Sequence, residues 1–306
     1  MSTQQAPAAV VMIRPHKFTA NPQTAEDNSF QTCSGSVTGQ EAISALAEFD
    51  AAVNKLEAAG IVVHTFEDHG ERQTPDSVFP NNWFSTHTGG HIAVYPMFTE
   101  NRRLERRWDV IEFLKRNYRV QDVIDYSGLE QDDLALEGTG AMVLDHIERV
   151  AYTAESNRAD PIILERFCTN FNFEPMAFKA ANRDGKAVYH TNVIMAVGTS
   201  FALVSTEMMV DAERRTAVVD RLKESGRDVI ELSEAQIDEF AGNAMELSAG
   251  SQRYLAISSR GVDSLTDNQK SRIEKSATLL PISIPTIETA GGSVRCMMAG
   301  IHLSKR

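Results

Sequence analysis

Apolar residues along this chain follow two spacings: short runs of consecutive aliphatic residues, and stretches where they recur every third or fourth position. The run Val10-Val11-Met12-Ile13, closed by Arg14-Pro15, predicts a buried strand. Ile43, Leu46, Phe49, Val53 and Leu56 predict one face of a helix that Gly60 stops, and Ile61-Val62-Val63 predicts the next strand. Further strands are expected over Ile92–Tyr95, Arg119–Ile124, Ala141–Leu144, Val188–Val197, Phe201–Val204, Asp228–Leu232, Ala244–Leu247, Tyr254–Ile257 and Leu279–Ile284. Between them, helices are expected on the face Leu104, Trp108, Ile111 and Leu114, and over Asn157–Phe167, Glu207–Glu224 and Thr266–Lys275. This alternation predicts an α/β protein, and no linker-like stretch interrupts it, so residues 1–306 are read as one domain.

A longer period overlies the short ones. Glu137, His190, Asn243 and Cys296 follow one another at intervals of 53 residues, Asn82 stands 55 before Glu137, and Asn21 stands 61 before Asn82. Each lies in a Gly- or Asn-bearing segment beside an apolar strand, as in Asn81-Asn82-Trp83, Gly138-Thr139-Gly140, Gly242-Asn243 and Gly291-Gly292. A ring of about five similar strand–helix units, each delivering one polar residue to a shared centre, would produce this spacing. Coincidence among residues chosen after inspection is the competing account.

Composition narrows the class of partner. The formal net charge of -12, with no basic cluster interleaved with aromatics, leaves no electrostatic footprint for nucleic acid or an anionic membrane, so a small molecule is expected. The apolar run at Val10–Ile13 is too short for a signal-peptide core or a membrane span, and a cytoplasmic protein is expected. Three widely spaced cysteines, Cys33, Cys168 and Cys296, suggest free thiols rather than disulfides or a zinc site. No metal or cofactor is called for, and a homo-oligomer is compatible with the sequence but not indicated by it.

Chemistry concentrates around Cys296, in Gly291-Gly292-Ser293-Val294-Arg295-Cys296. Most cysteines are small buried apolar residues, but the paired glycines allow close approach of a ligand and Arg295 offers a neighbouring cation. A nucleophilic thiol needs a base or cation, and His190 is the candidate; Glu137 could orient it. Taken singly, His190 reads as an ordinary strand-end histidine and Glu137 as a solvent-facing turn residue.

Taken together, Phe79-Pro80-Asn81-Asn82-Trp83, Leu136-Glu137-Gly138, Tyr189-His190-Thr191-Asn192, Gly242-Asn243 and Gly291-Gly292 leading to Cys296 resemble the guanidino-group-modifying superfamily of deiminases, dihydrolases, dimethylarginine hydrolases and amidinotransferases. The opening Met12-Ile13-Arg14-Pro15 and Asn21-Pro22 is most similar to its citrulline-utilisation hydrolase subgroup. The resemblance implies the pentein fold, a five-bladed pseudo-symmetric α/β propeller, with Cys296 as nucleophile, His190 as general acid/base and Glu137 as its partner and substrate contact.

Two departures bear on the substrate. Deiminases carry aspartates where this chain has Asn82 and Asn192. A guanidinium offers only donors and a positive charge, whereas a neutral ureido group has both donors and an acceptor and suits amides. Citrulline is therefore expected over arginine, with hydrolysis to ornithine, carbon dioxide and ammonia. Asn82 and Asn192 would hold the ureido group, with Asn243 among the substrate contacts. Arg14, Arg295 and Arg103 are candidates for the substrate carboxylate, in that order, with Asn21 as a neutral helper. The run Arg102 to Arg107 otherwise reads as a solvated helix face, and Trp83 and Phe79 as walls for the aliphatic stem or as core. Arginine deiminase, arginine dihydrolase or amidinotransferase activity on a guanidino substrate is the alternative within the class; a non-catalytic ligand-binding relative is the alternative outside it.

Overall fold

The first apolar run becomes β1 (Ala9–Pro15), buried along nearly its whole length in the computed structural model, which describes residues 4–32 and 39–306. Cys33 lies outside the described residues. Helix α1 (Gly39–Ala58) crosses over, and β2 (Val62–Asp68) then pairs with β1 in parallel, Val10 opposite Val63 and Met12 opposite Thr65. The helix turns Ala45, Phe49, Ala52 and Leu56 inward, each at helical spacing, and burying a side chain the size of Phe49 contributes roughly 1.5–3 kcal/mol. Ile43, expected on that face, is 62% exposed, because six residues before Phe49 places it about 120° around the helix.

The order of hairpin, helix and parallel strand then recurs. In the second sheet β3 (Phe84–His87) and β4 (His91–Val94) are antiparallel, and α2 (Glu100–Arg103) and α3 (Trp108–Asn117) lead to β5 (Asp122–Asp125), parallel to β4. The third begins with a single turn, α4 (Gly138–Ala141), before β6 (Met142–Asp145) and β7 (Val150–Ala154), and α5 (Pro161–Phe171) returns the chain to β8 (Glu174–Phe178). The fourth holds β9 (Met195–Val197), β10 (Phe201–Val204), α6 (Ala212–Glu224) and β11 (Asp228–Glu231), followed by α7 (Glu234–Asp238). The fifth holds β12 (Met245–Ala249), β13 (Gln252–Ser258), α8 (Ser259–Ser264), α9 (Asp267–Ile273) and β14 (Thr278–Ile282). After α10 (Pro285–Glu288), β15 (Ala299–Gly300) runs antiparallel to β1, Val10 opposite Gly300. The first sheet thus takes its hairpin partner from the far end of the chain. Five three-stranded α/β sheets with one internal order fit a pseudo-five-fold repeat.

Several boundaries differ from those the periodicity predicts, for local reasons. The helix expected from Asn157 starts at Pro161, because the Asp160 side chain accepts from the Ile162 backbone N–H at 2.8 Å and proline suits the first helical position. The helix expected from Glu207 starts after Asp211, which caps the Arg214 N–H at 2.7 Å. Ile111 and Leu114 turn inward on α3 as expected, with Val110, but Leu104, which precedes the helix, and Trp108, its first residue, are 54% and 51% exposed. Of the strand expected over Val188–Val197 only Met195–Val197 is extended pairing; the residues before it form a tight turn. Among the described residues no helix is long and apolar enough to cross a membrane.

Candidate active site

The 53-residue period is the length of one structural unit, and the residues that mark it occupy corresponding points. Asn82 ends a 3-10 turn (Pro80–Asn82) two residues before β3, and Glu137 caps α4 just ahead of β6. His190 caps the turn Thr191–Val193 ahead of β9, Asn243 stands two residues before β12, and Cys296 three before β15. All five are buried.

Gly140 shows how tightly the first three converge. A Cβ at that position would lie 2.1 Å from Asn82 Oδ1 and 2.9 Å from His190 Nδ1, so only glycine lets both side chains occupy this space. Gly291 and Gly292 act likewise on the other wall: a Cβ would meet Asn28 at 2.4 Å and the Phe79 ring at 2.7 Å respectively. Asn28, Asp76, Phe79, Asn82, Arg102, Arg158, Tyr189, His190, Ala290, Gly292 and Cys296 line a small cavity of about 20 Å³.

Glu137 is the electrostatic centre of this arrangement. Its Oε2 accepts from His190 Nε2 at 2.8 Å and from Arg102 Nη1 at 3.1 Å, with Arg158 Nη1 at 3.6 Å, while Oε1 accepts from the Phe98 N–H at 3.1 Å. Burial alone would raise this carboxyl, but Arg102, Arg158 and His190 together hold it well below the usual carboxylate range. An ionised carboxylate can only accept, so His190 Nε2 carries the proton and the Nδ1 lone pair is left as the base. Burial also lowers the imidazole to about 4 despite Glu137, which keeps it neutral near pH 7.

Around the sulfur the donors are amides. Asn192 Nδ2 and Asn243 Nδ2 each lie 3.3 Å from Cys296 Sγ. Asn243 also donates to the Asn192 carbonyl and accepts the Arg295 N–H, both at 3.0 Å, so its amide is fully engaged and does not face a substrate. Asn82 Oδ1, Asn192 Oδ1 and Asp76 Oδ1, by contrast, are buried acceptors with no hydrogen-bond partner. Asn82 and Asp76 line the cavity and Asn192 stands against the sulfur, and unmet acceptors so placed are what a donor-rich ligand would satisfy. The remaining oxygen of Asp76 accepts from Asn21 Nδ2 at 2.8 Å, so Asn21 supports the wall rather than lining it. Burial raises the Asp76 carboxyl.

The cations are not those expected from the sequence. Arg14 is held by Asp50 at 2.7 and 2.6 Å and by Glu67 at 3.5 Å, near the surface and off the cavity. The Arg295 side chain points away from the cavity and donates to the Met298 carbonyl at 3.0 Å, acting on Cys296 only through its charge. Arg103 bonds the carbonyls of Met97 and Phe98 at 3.1 and 3.3 Å. The cavity cations are Arg102, 2% exposed, and Arg158, 1% exposed. Arg102 is gripped by Glu105 at 2.9 and 3.0 Å; Arg158 pairs with both oxygens of Asp27, on the segment between Asn21 and Thr32. The run from Arg102 to Arg107 therefore is not a solvated face: one turn of it enters the site. Trp83 belongs to the core with Phe84, and Phe79 lines the cavity. Cys168 is a free thiol that burial pushes up to about 12. Among the described residues no group of three or more His, Cys, Asp or Glu is arranged to hold a metal ion.

A family profile described as N,N dimethylarginine dimethylhydrolase, eukaryotic, matches residues 14–303. Among solved structures, the product-bound N-terminal domain of ArgZ, an arginine dihydrolase from the ornithine–ammonia cycle in cyanobacteria, aligns with a TM-score of 0.74 at 15% identity over 96% of this chain and 97% of that one. Unliganded AgrE aligns at 0.75 and 15% identity over 96% of this chain and 39% of its own. A dimethylarginine dimethylaminohydrolase variant, as its adduct with S-methyl-L-thiocitrulline, aligns at 0.66 and 14% identity over 95% and 98%. The chain spans about 40% of the length of the full ArgZ chain. At these identities the likeness is one of fold. A comparison of the sequence with curated proteins returns no match.

Proposed function

Because this chain belongs to the N,N dimethylarginine dimethylhydrolase family of the guanidino-modifying pentein superfamily, we propose that it is a cysteine-dependent C–N hydrolase acting on the ureido group of citrulline. One observation carries the choice of substrate. At the reacting end the unpartnered acceptors are the neutral amide oxygens of Asn82 and Asn192, while the nearby carboxylate of Glu137 is already matched by Arg102, Arg158 and His190. A desolvated guanidinium would find no counter-charge in those two amides and only the free oxygen of Asp76 elsewhere in the wall, whereas a ureido N–H set finds two neutral acceptors at little electrostatic cost.

In this reading the Cys296 thiol passes its proton to His190 Nδ1 as Sγ attacks the ureido carbon, and the tetrahedral adduct expels an amine, which takes that proton. Water attacks the resulting carbamoyl thioester and gives its proton to the Nδ1 lone pair, Sγ leaves and recovers that proton, and the carbamate released loses carbon dioxide to free the second amine. The sum is citrulline and water giving ornithine, carbon dioxide and ammonia. Arg102 and Arg158 are the cations that line the cavity, and a substrate carboxylate would share them with Glu105, Glu137 and Asp27, with Asp76 Oδ1 the acceptor for its amine. A cavity of about 20 Å³ holds only one or two waters, so its lining has to rearrange for an amino acid to enter.

We read the five sheets as blades of one propeller closed by β15 against β1, with residues 1–306 as one catalytic domain, because strands from both ends of the chain share a sheet. A cytoplasmic enzyme is the companion reading, supported by the unpaired thiols of Cys168 and Cys296. A second substrate reading, a guanidino compound, is favoured by Asp76, whose free oxygen is a carboxylate in the cavity wall. The test is incubation of the purified protein with L-citrulline, L-arginine and a dimethylated arginine, following ornithine, citrulline and ammonia. Ornithine from citrulline with the guanidino compounds untouched is the expected result; turnover of arginine or its dimethyl derivative with citrulline inert overturns the substrate assignment.

A further inference from the structure

Nucleophilic thiols are ordinarily activated by a cation in contact with the sulfur, an imidazolium, an ammonium or a helix N-terminus. Among the described residues Cys296 meets none of these. His190 spends Nε2 on Glu137, and the Arg295 guanidinium turns away to the Met298 carbonyl. The polar atoms on Sγ are two amide N–H groups, Asn192 Nδ2 and Asn243 Nδ2, at 3.3 Å each. These amides come from different units of the repeat. Asn192 lies in the fourth unit's turn ahead of β9, and Asn243, ahead of β12, stands at the fifth unit's counterpart of His190 and Cys296.

Asn243 is itself fixed at both ends of its amide. Its Oδ1 accepts the N–H of Arg295, the residue preceding the nucleophile, and its Nδ2 is shared between Sγ and the Asn192 carbonyl. The Arg295 contact settles the amide's orientation, because a backbone N–H requires an oxygen there, which leaves the NH₂ group facing the sulfur. Asn243 therefore aims a donor at Cys296 before any substrate arrives.

Resting on the reading of Cys296 as nucleophile, we propose that Asn243, with Asn192, forms a two-amide cradle that stabilises negative charge on the sulfur, Asn243 being a positioning residue of the reaction rather than a substrate contact. A hydrogen bond to a charged group is worth roughly one to two orders of magnitude in an equilibrium, so each amide has a sizeable lever on how readily the sulfur reacts. The cradle acts on sulfur whatever the substrate is, so it affects kcat more than KM.

The test uses the full-length protein and iodoacetamide, with alkylation of Cys296, Cys168 and Cys33 followed separately by peptide mass spectrometry, so that it does not depend on citrulline being the substrate. Asn243→Ala is expected to slow alkylation of Cys296 about tenfold near neutral pH and to move its profile toward higher pH. Asn243→Asp separates the cradle from a structural role. Aspartate keeps the acceptor for the Arg295 N–H, so a structural role predicts that it outperforms alanine; the cradle predicts that it is slower than alanine, because a carboxylate oxygen then faces the sulfur. Asn192→Asp probes the other amide at a position whose Oδ1 has no partner to lose, and the same slowing is expected. Alkylation by folded Asn243→Asp and Asn192→Asp proteins at the wild-type rate overturns the proposal. Should both Asn243 variants fail to fold, the Asn192→Asp rate alone decides whether amide donors on the sulfur matter. If Cys296 reacts no faster than Cys168 in the wild type, the nucleophile reading itself fails, an outcome distinct from the failure of the cradle.

Discussion

Replacing Glu137 by glutamine keeps the shape of the side chain and removes one negative charge from between His190 at 2.8 Å, Arg102 at 3.1 Å and Arg158 at 3.6 Å. Breaking a buried pair by removing one partner costs about 3–5 kcal/mol. Arg102 keeps Glu105 and Arg158 keeps Asp27, which places the loss at the lower end, about 3 kcal/mol. With an unfolding entropy of about 2 cal/mol/K per residue across 306 residues, Tm should fall by about 5 °C. Catalysis should suffer more than stability. The glutamine oxygen is drawn to the arginines, and its NH₂ group then donates to His190 Nε2, which forces the imidazole proton onto Nδ1 and removes the base. A thousandfold loss of kcat, about the middle of the range for general acid–base catalysis, is expected. Differential scanning calorimetry and steady-state turnover of citrulline measure the two effects. An E137Q protein with wild-type kcat would refute the tautomer argument, and one with wild-type Tm would refute the claim that this carboxylate neutralises two buried arginines.

Cys296→Ala should lose all turnover while melting within about 2 °C of the wild type, since the thiol contributes only a small side chain to the core; residual hydrolysis above background in a pure preparation would count against covalent catalysis. Asn82→Asp should lower kcat/KM for citrulline and raise binding of arginine, read by calorimetric titration with both ligands; unchanged preference would detach Asn82 from substrate choice. Gly140→Ala places a methyl 2.1 Å from Asn82 Oδ1 and 2.9 Å from His190 Nδ1 and should cut kcat at least about tenfold, with no fall in kcat meaning that these side chains yield freely. Stability should drop in acid. Burial holds His190 and His302 at about 4, below their unfolded value of 6.5. Their contribution is therefore complete above pH 6.5 and lost as pH falls toward 4, about 2 kcal/mol for each at pH 5. Glu137, depressed as an acid, acts in the same direction at lower pH. Urea unfolding at pH 7.5 and pH 5.0 should show the midpoint falling, and equal midpoints would mean that these histidines are not buried neutral.

What could be read from the chain alone divides according to the range of the interaction involved. The apolar periods marked most helices and strands because a buried face repeats within a few residues, and they misplaced boundaries where a single cap decides, as at Asp160 and Asp211. The interval of 53 residues was legible because each unit delivers its polar residue at nearly the same point before its hairpin. Arg102 was hidden inside a run of charges that locally resembles a solvated face, and nothing beside Arg158 or Asp76 marks them. All three are placed by partners far along the chain: Glu137 for the two arginines, and Asn21 for Asp76. A physical signal did exist. Once Glu137 is accepted as the partner of a buried histidine, its charge cannot be left alone in a dry interior, and one imidazole that must remain neutral to act as a base cannot supply the compensation. Fixed cations are therefore required, and arginine is the residue that stays charged there. The same reasoning reassigns Asn243. A position expected to meet the substrate has both ends of its amide occupied by Arg295, Asn192 and Cys296, so what it can influence is the nucleophile and not the choice of ligand.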